Sequence, residues 1–568
     1  MEYLTKSVIP KLRNEVENLT PLIKEYKYEI LWGICGFLVA YFIGILIKRA
    51  RSNFPPGPTG LPLLGYLPFL TENLHLDLIE LGKKYGDVFS VSLGTNTIVI
   101  LHGTDAIKEA FNKQEFLGRP TIGSLQLTNP LSPFFGGDFH AWKEQRRFVV
   151  QSMKDLGLGK TKIEEDVMDE INHFIEVLKS HNGKPMDVKE PLSPSMSNNI
   201  CALVFGKRYE YDDKDRQFLD KNLEEANEFF SQTSADTLFP WIAYIPFYYK
   251  FMRIDRSLSA INKIKAFFKV EVNKHLKTLD PGHIRDFIDS YFLEIDAQKA
   301  KNSSDSTFHY EMLISNVMDL FGAGSETVRT SILWFIYCMA AFPDVQKKVQ
   351  KEIMEVLGTE RRPEYLDLKS MPYTHAVMME IMRWKSIVPL NLMHCTLADT
   401  TVGGYDIPKG TVVIANFWNA HHDPRYWEEP EKFQPERFLS KDGKSVVKSS
   451  NFLAFSTGRR VCPGESMANM EMFLYFTSLL QKFDIKFPDG VKPTFKAKLT
   501  GTFRLDPFKF TLKSNSLWAV GKSVLLLQQN DFWVLNGSEK RREQIAFPRT
   551  YLTCSKAFMP GGLAGQNI

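Results

Sequence analysis

The sequence predicts a mainly helical protein with small β-sheets, carried on a single N-terminal transmembrane helix. Three observations support this class. From Asp105 to about Ala341 the apolar residues recur mostly at helical spacing. Strand-like stretches are confined to Val88–Leu101, Thr401–Ile414 and Ile485–Leu512, where β-branched and aromatic residues lie between turn formers. Ile30–Ile47 is a run without a charge, about 27 Å long as a helix against a hydrocarbon core of about 30 Å.

Composition narrows the function classes. Of 568 residues, 44% are apolar and 24% charged, the balance of a packed globular chain rather than a disordered one. The formal charge of +4 is not concentrated in one run, so nucleic-acid binding has no support. Six scattered cysteines without a Cys-x-x-Cys spacing exclude a disulfide framework and a zinc site, and read as reduced thiols.

The elements follow in order. Residues 1–29 precede the apolar span 30–47, which ends in Lys48, Arg49 and Arg51. A cleavable signal is the rival, but the run lies deep in the chain and lacks a small-residue cleavage site. Lys24 and Lys27 before it nearly balance the cations after it, so charge alone orients the span weakly. Phe54-Pro-Pro-Gly-Pro-Thr-Gly-Leu-Pro, within 48–62, makes a stiff hinge. Residues 63–513 form the main domain, with Gly94-Thr95-Asn96 as a turn between its first two strands and a long helix from about Tyr310 to Ala341. The extension 514–568 shows no sustained periodicity.

One cysteine has distinctive surroundings. Phe455-Ser-Thr-Gly-Arg-Arg-Val-Cys-Pro-Gly464 places Cys462 between two glycines that bracket a tight path, beside Arg459 and Arg460 and just before Pro463, which suits a first helical turn. The pattern predicts a helix that begins at the sulfur and whose positive end favours thiolate over thiol. A thiolate held so is a soft ligand for haem iron. The spacing Phe-x-x-Gly-x-Arg-x-Cys-x-Gly resembles the haem-binding loop of the cytochrome P450 family at every fixed position, with Phe455, Arg460, Cys462 and Gly464 in the matching places. The resemblance implies the family's mainly helical fold, haem b with Cys462 as the axial ligand of its iron, and a catalytic domain on the cytosolic side of the endoplasmic reticulum membrane.

Further motifs extend the resemblance in order along the chain. Leu320-Phe-Gly-Ala-Gly-Ser-Glu-Thr interrupts the long helix with two glycines, each costing about 1 kcal/mol against alanine. Small residues at Gly322, Ala323 and Gly324 give room for a flat group, Thr327 can bond the carbonyl of Ala323, and Glu326 is an acid within a water's reach. Ala323–Thr327 resembles the family's oxygen-activating motif, which implies proton delivery by Thr327 and Glu326. Glu380-Ile-Met-Arg383 puts opposite charges on one helix face, and the family joins such a pair to a second arginine, here Arg437, in a structural triad. Trp142-x-x-x-Arg146 resembles the family's helix that holds the haem propionates, with Arg460 and His394 as further contacts. A core histidine is the alternative reading of His394, since Met393 stands where many relatives have proline.

No phosphate loop, Rossmann fingerprint or flavin motif appears, so electrons must come from another protein. The resemblance names NADPH-cytochrome P450 reductase, with Lys143, Arg147 and Arg459 as a docking face; a solvated helix face explains Lys143 and Arg147 equally. Substrate walls are expected from Leu125–Phe135, Phe229–Trp241, Ala323, Ile387, Val388 and Leu392, whose apolar character fits a lipophilic ligand. Leu238–Tyr249 is apolar enough to dip into the bilayer, and core packing accounts for it as well. The expected reaction inserts one oxygen atom of O2 into a steroid, fatty acid, terpenoid or xenobiotic. A haem-thiolate isomerase or dehydratase, which needs no external electrons, and a non-catalytic haem sensor are the competing functions.

Overall fold

The computed structural model describes residues 52–515 apart from 122–128, 158–160, 232–238, 246–247 and 303–304, with scattered residues between 26 and 44. No helix among the described residues is long and apolar enough to cross a membrane. The run 30–47 falls largely outside them, and 516–568 wholly so.

The described chain is mainly helical. Its helices are α1 (Leu74–Tyr85), α2 (Thr104–Asn112), α3 (Phe139–Asp155), α4 (Thr161–Ser180), α5 (Lys189–Phe205), α6 (Lys214–Ser231), α7 (Tyr248–Phe251), α8 (Ile254–Lys277), α9 (Phe287–Ala300), α10 (Tyr310–Ala341), α11 (Pro343–Leu357), α12 (Pro372–Lys385), α13 (Phe417–His422) and α14 (Glu465–Lys482). Local chemistry sets their starts. Asp138 and Asp286 accept from the backbone N–H groups of Ala141 and Asp289 at the heads of α3 and α9, satisfying donors that the helix cannot. Pro343 and Pro372 open α11 and α12, where a missing N–H costs nothing.

The strands are β1 (Val88–Leu93), β2 (Asn96–Leu101), β3 (His394–Cys395), β4 (Thr400–Val402), β5 (Tyr405–Ile407), β6 (Val412–Ala415), β7 (Phe483–Lys486), β8 (Ala497–Thr500), β9 (Thr502–Leu505) and β10 (Thr511–Ser514). β1 and β2 form a hairpin through Gly94, at φ +61°, as its turn residues suggest. β2 pairs in parallel with β6, and β3 pairs with the other edge of β6 in the register His394↔Val413. That pairing carries His394 to the rim of the four-stranded sheet β1-β2-β6-β3. The remaining strands form two-stranded ribbons, β4 with β5, β7 with β10 and β8 with β9.

The main core gathers around α10, which packs on α5, α8 and α14 and buries Leu313, Phe321, Trp334, Phe335 and Tyr337, the ring of Trp334 stacking on Phe503 of β9. A helix apolar on most of its circumference must be surrounded by protein, and α10 runs through the middle of the domain.

Candidate functional site

The cysteine loop is held in shape before any ligand is considered. Cys462 N–H donates to the carbonyl of Phe455 at 2.9 Å, closing a turn whose backbone passes through left-handed residues Ser456 and Gly458, both at φ +72°. A Cβ on Gly458 would lie 2.1 Å from the carbonyl oxygen of Phe111 on α2, so glycine is required there twice over. Gly464 is different from the expectation. Its φ of −92° is open to any residue, and a Cβ would sit 3.9 Å from Cys462 Sγ, an ordinary contact, so neither the backbone nor the packing requires glycine there.

The helix does not begin at the sulfur. Pro463 and Gly464 form a turn and α14 starts at Glu465. Nor does the protein alone favour the thiolate. Burial pushes the Cys462 thiol up, and the N–H groups of Gly464 and Glu465 with the charge of Arg146 recover only part of this, while the Glu465 carboxylate opposes them. The side chain still presents accessible surface. Packing density around the sulfur governs its ionisation, and the accessible face governs its reach by a ligand.

Around this loop three guanidiniums converge without an anion. Arg460 donates from Nε and Nη2 to the carbonyl of Leu117 at 3.0 and 2.8 Å, and its guanidinium lies 3.9 Å from the centre of the Trp142 ring. Arg119 Nη1 reaches the carbonyls of Leu392 and Met393 at 3.0 and 2.8 Å, while its Nε is buried with no partner. Arg146 lies one turn after Trp142 on α3. No carboxylate among the described residues pairs with any of the three. Burial lowers all of them, Arg119 to about 10 and Arg460 to about 8, the latter helped by Arg119 and Arg146.

His394 completes the cluster. Its Nδ1 is 2.6 Å from the carbonyl of Phe116, its ring stacks on Phe111 at 4.1 Å, and its Nε2 is buried without a partner. Burial, followed by Arg119, holds its pKa well below the usual value. Buried cations and orphaned nitrogens are costly unless an anion meets them. A ligand with carboxylates, such as haem, fits this chemistry.

On α10, Gly322 and Ala323 are exposed although the helix is buried on either side of them, and a Cβ at Gly322 would touch nothing within 4 Å. Thr327 Oγ1 donates to the carbonyl of Ala323 at 2.8 Å. Two expectations need correction. Gly324 does not make room for a ligand, because its Cβ would meet Ile200 Cδ1 on α5 at 2.4 Å. Glu326 is not a free acid: Arg504 of β9 pairs with it at 2.7 Å, Arg329 forms a close ion pair, and Thr330 Oγ1 donates to it at 3.2 Å.

The acid–arginine group assembles where the spacing placed it. Arg383 holds Glu380 through Nε at 2.7 Å and Nη2 at 2.9 Å, and Arg437 Nε reaches the same carboxylate at 3.1 Å. Glu380 and Arg383 are fully buried. Arg383 also donates to the carbonyl of His421 at 2.6 Å, and His421 Nε2 accepts the N–H of Leu453 at 2.8 Å. The triad is thereby linked to the chain just before Phe455.

Ile387 and Val388 are half-buried and Leu392 is exposed, in the segment between α12 and β3. The expected wall residues 125–128 and 232–238 lie outside the described residues. Arg119 and Arg504 were missed in the sequence. The first had a signal, a cation in the apolar run Phe116-Leu117-Gly118-Arg119, but the second had none.

Comparison with known proteins accords with this geometry. The sequence model of the cytochrome P450 family matches residues 55–513. The chain is 37% identical to cytochrome P450 2J2 of Homo sapiens, over 83% of this chain and 93% of the relative. It is 35% identical to cytochrome P450 18a1 of Drosophila melanogaster (85% and 93%) and 39% identical to cytochrome P450 2B2 of Rattus norvegicus (79% and 92%). With a thiol loop, an unpaired cationic cluster and a family match over most of its length, this chain belongs to the cytochrome P450 family of haem-dependent mono-oxygenases.

Proposed function

We propose that the protein inserts one oxygen atom of O2 into a C–H bond of a lipophilic substrate, a steroid, fatty acid, terpenoid or xenobiotic, with electrons from NADPH through NADPH-cytochrome P450 reductase. The cluster of Arg119, Arg146, Arg460 and His394 beside the Cys462 loop carries this reading, since one buried and two half-buried guanidiniums without a carboxylate favour an anion between them.

In this proposal Cys462 would ligate the haem iron, and Trp142, Arg146, Arg460 and Arg119 would hold the propionates by donating hydrogen bonds, with His394 joining them from Nε2 on taking up a second proton, because its Nδ1–H is committed to the Phe116 carbonyl. Bound haem supplies the activation of dioxygen. As a ligand Cys462 would be held as the thiolate, against the upward push of burial. The exposed backbone at Gly322 and Ala323 leaves room for a flat group, and Phe455 and Gly464 would help to hold it from the cysteine loop. Thr327 is held by the Ala323 carbonyl and can turn its hydroxyl to pass a proton. Glu326, clamped by Arg329 and Arg504, serves as a fixed negative charge that orients water at Thr327 rather than as a mobile acid. Ile387, Val388, Leu392 and Ala323 line the substrate. The triad of Glu380, Arg383 and Arg437 is structural.

The protein is proposed to be a single-pass membrane protein of the endoplasmic reticulum with its catalytic domain in the cytosol. Exposed apolar residues at Leu61, Leu63, Leu64, Phe69, Trp241, Tyr244 and Phe251 support contact with lipid. The decisive test is the carbon monoxide spectrum of the reduced, haem-loaded protein. A thiolate-type band that vanishes in Cys462→Ala is expected, and a nitrogen-type band in the unaltered protein would overturn the assignment. A spectral-shift screen across the four substrate classes, with NADPH and reductase added for product analysis, identifies the substrate; turnover without reductase would favour an isomerase.

A further inference from the structure

The helix that carries Trp142 and Arg146 is not seated by close packing alone. Between α3 and α9 lies a cavity of about 550 Å3, lined among others by Phe148, Gln151, Leu156, Ser290 and Leu293. Apolar contact is therefore incomplete along this interface, although Phe148 makes edge-on ring contacts with Phe287, Tyr291 and Phe308 at centroid distances of 5.8, 5.1 and 5.3 Å. Where side chains leave such a gap, directional bonds carry more of the helix's positioning.

Those bonds meet at one side chain. Gln145 is fully buried and stands between Trp142 and Arg146 in the sequence. Its Oε1 accepts from Tyr291 Oη on α9 at 2.8 Å and from Asn316 Nδ2 on α10 at 2.9 Å. Its Nε2 donates to Thr307 Oγ1, just before α10, at 2.8 Å. Both acceptor sites of the amide are used, and one side chain ties α3 to three separate points of the core. Glu144 strengthens the last of these, accepting from Thr307 N–H at 3.1 Å and Thr307 Oγ1 at 2.7 Å.

We propose that Gln145 is a positioning residue for the haem: its three hydrogen bonds to Tyr291, Asn316 and Thr307 set the register of α3 and so aim Trp142 and Arg146 at the propionate site. The effect extends to the cysteine loop, because the Trp142 ring carries the guanidinium of Arg460, two residues before Cys462. Displacing α3 moves the Arg146 charge and the surface on which Arg460 rests together. This inference rests on the assignment of Arg146 and Trp142 to the propionates.

The test measures transfer of haem from the full-length holoprotein to excess apomyoglobin, well below the unfolding temperature, in Gln145→Leu and Tyr291→Phe. The second variant guards against failure to fold, since it keeps the ring against Phe148 and removes only a hydroxyl. Tyr211→Phe, which removes a tyrosine hydroxyl bonded to Glu170 at 2.6 Å away from α3, is the matched control. Haem loss is expected to accelerate about tenfold in Gln145→Leu and about threefold in Tyr291→Phe, with Tyr211→Phe unchanged. Hydrogen exchange of the α3 amides should rise in the same two variants and not in the control. Equal acceleration in Tyr291→Phe and Tyr211→Phe would overturn the proposal by reducing it to general core loss. Arg146→Ala separates the two assignments: if it speeds haem loss while Gln145→Leu and Tyr291→Phe do not, the positioning role alone fails. If Arg146→Ala leaves haem loss unchanged, the propionate assignment fails and the positioning role with it.

Discussion

Two residues show how strongly single positions are constrained. Gly458 holds a left-handed conformation, which costs an L-residue about 1–2 kcal/mol, and a methyl there would collide with a backbone oxygen that cannot swing aside. Gly458→Ala should destabilise the protein by about 2 kcal/mol or more and lower haem content, as thermal unfolding and absorbance at equal protein concentration would register. Glu471 on α14 is buried with Oε1 unpartnered, and burial raises its carboxyl from 4.5 to about 8. The folded state thus holds a proton between pH 4.5 and about 8 that the unfolded chain releases, so this group's effect on stability is favourable at low pH and is lost as pH rises through that window. Glu471→Gln should flatten the fall, giving a higher urea midpoint than the parent at pH 9 and little change at pH 5. Equal pH dependence in both proteins would show that the carboxyl does not govern it.

At the scale of elements, what holds two segments together is often a pair of residues far apart in sequence, and this decided what could be read in advance. The turn at Cys462, the Glu380–Arg383 pair and the placing of Trp142 and Arg146 one turn apart on a helix were legible because each lies in a short pattern whose spacing has a local meaning. Arg504 was not, since its bond to Glu326 joins a β-strand to α10 across a fold that spacing does not encode. The same limit misassigned Gly324, whose neighbour Ile200 belongs to α5. The α10–α5 contact yields a prediction with a change of sign. Gly324→Ala gains about 1 kcal/mol of helix propensity but loses about 1–3 kcal/mol to overpacking on Ile200, and is expected to be destabilising. In the background Ile200→Ala, which removes both Cδ1 and Cγ1, at 2.4 and 2.9 Å from the added Cβ, the same substitution should become neutral or stabilising, as a double-mutant cycle in urea would measure. For the triad, Glu380→Gln leaves Arg383 as a buried unpaired cation and should cost about 3–5 kcal/mol, with loss of haem incorporation through the link from His421 to Leu453.

At the scale of the whole molecule, the class was legible because helical and strand periodicities occupy separate stretches of the chain, whereas the thiol's ionisation was not, because burial depends on everything packed around it. The exposed apolar residues also make sense only at this scale. Phe239 packs on the same buried cluster, which includes Leu78, Leu81 and Phe89, as do Tyr66, Leu67, Leu70 and Leu74, and its ring lies 6.3 Å from that of Trp241. The segment with exposed Leu61, Leu63, Leu64 and Phe69 and the one with exposed Trp241, Tyr244 and Phe251 are therefore each anchored on one cluster, through Tyr66 and Leu67 and through Phe239. Such exposed apolar side chains have to meet lipid, another protein or each other, and the stretch 48–62, proposed as a hinge behind the apolar run 30–47, would place a bilayer within reach. A form lacking residues 1–51 should still partition onto phosphatidylcholine vesicles, without help from charge and so without sensitivity to salt. Replacing Trp241, Tyr244 and Phe251 by serine in that form should lower the partition coefficient by at least about tenfold, since each ring forfeits of order 1 kcal/mol of burial. Retention of full vesicle binding after these three changes, or its abolition by salt, would rule out an apolar contact of these side chains with the membrane.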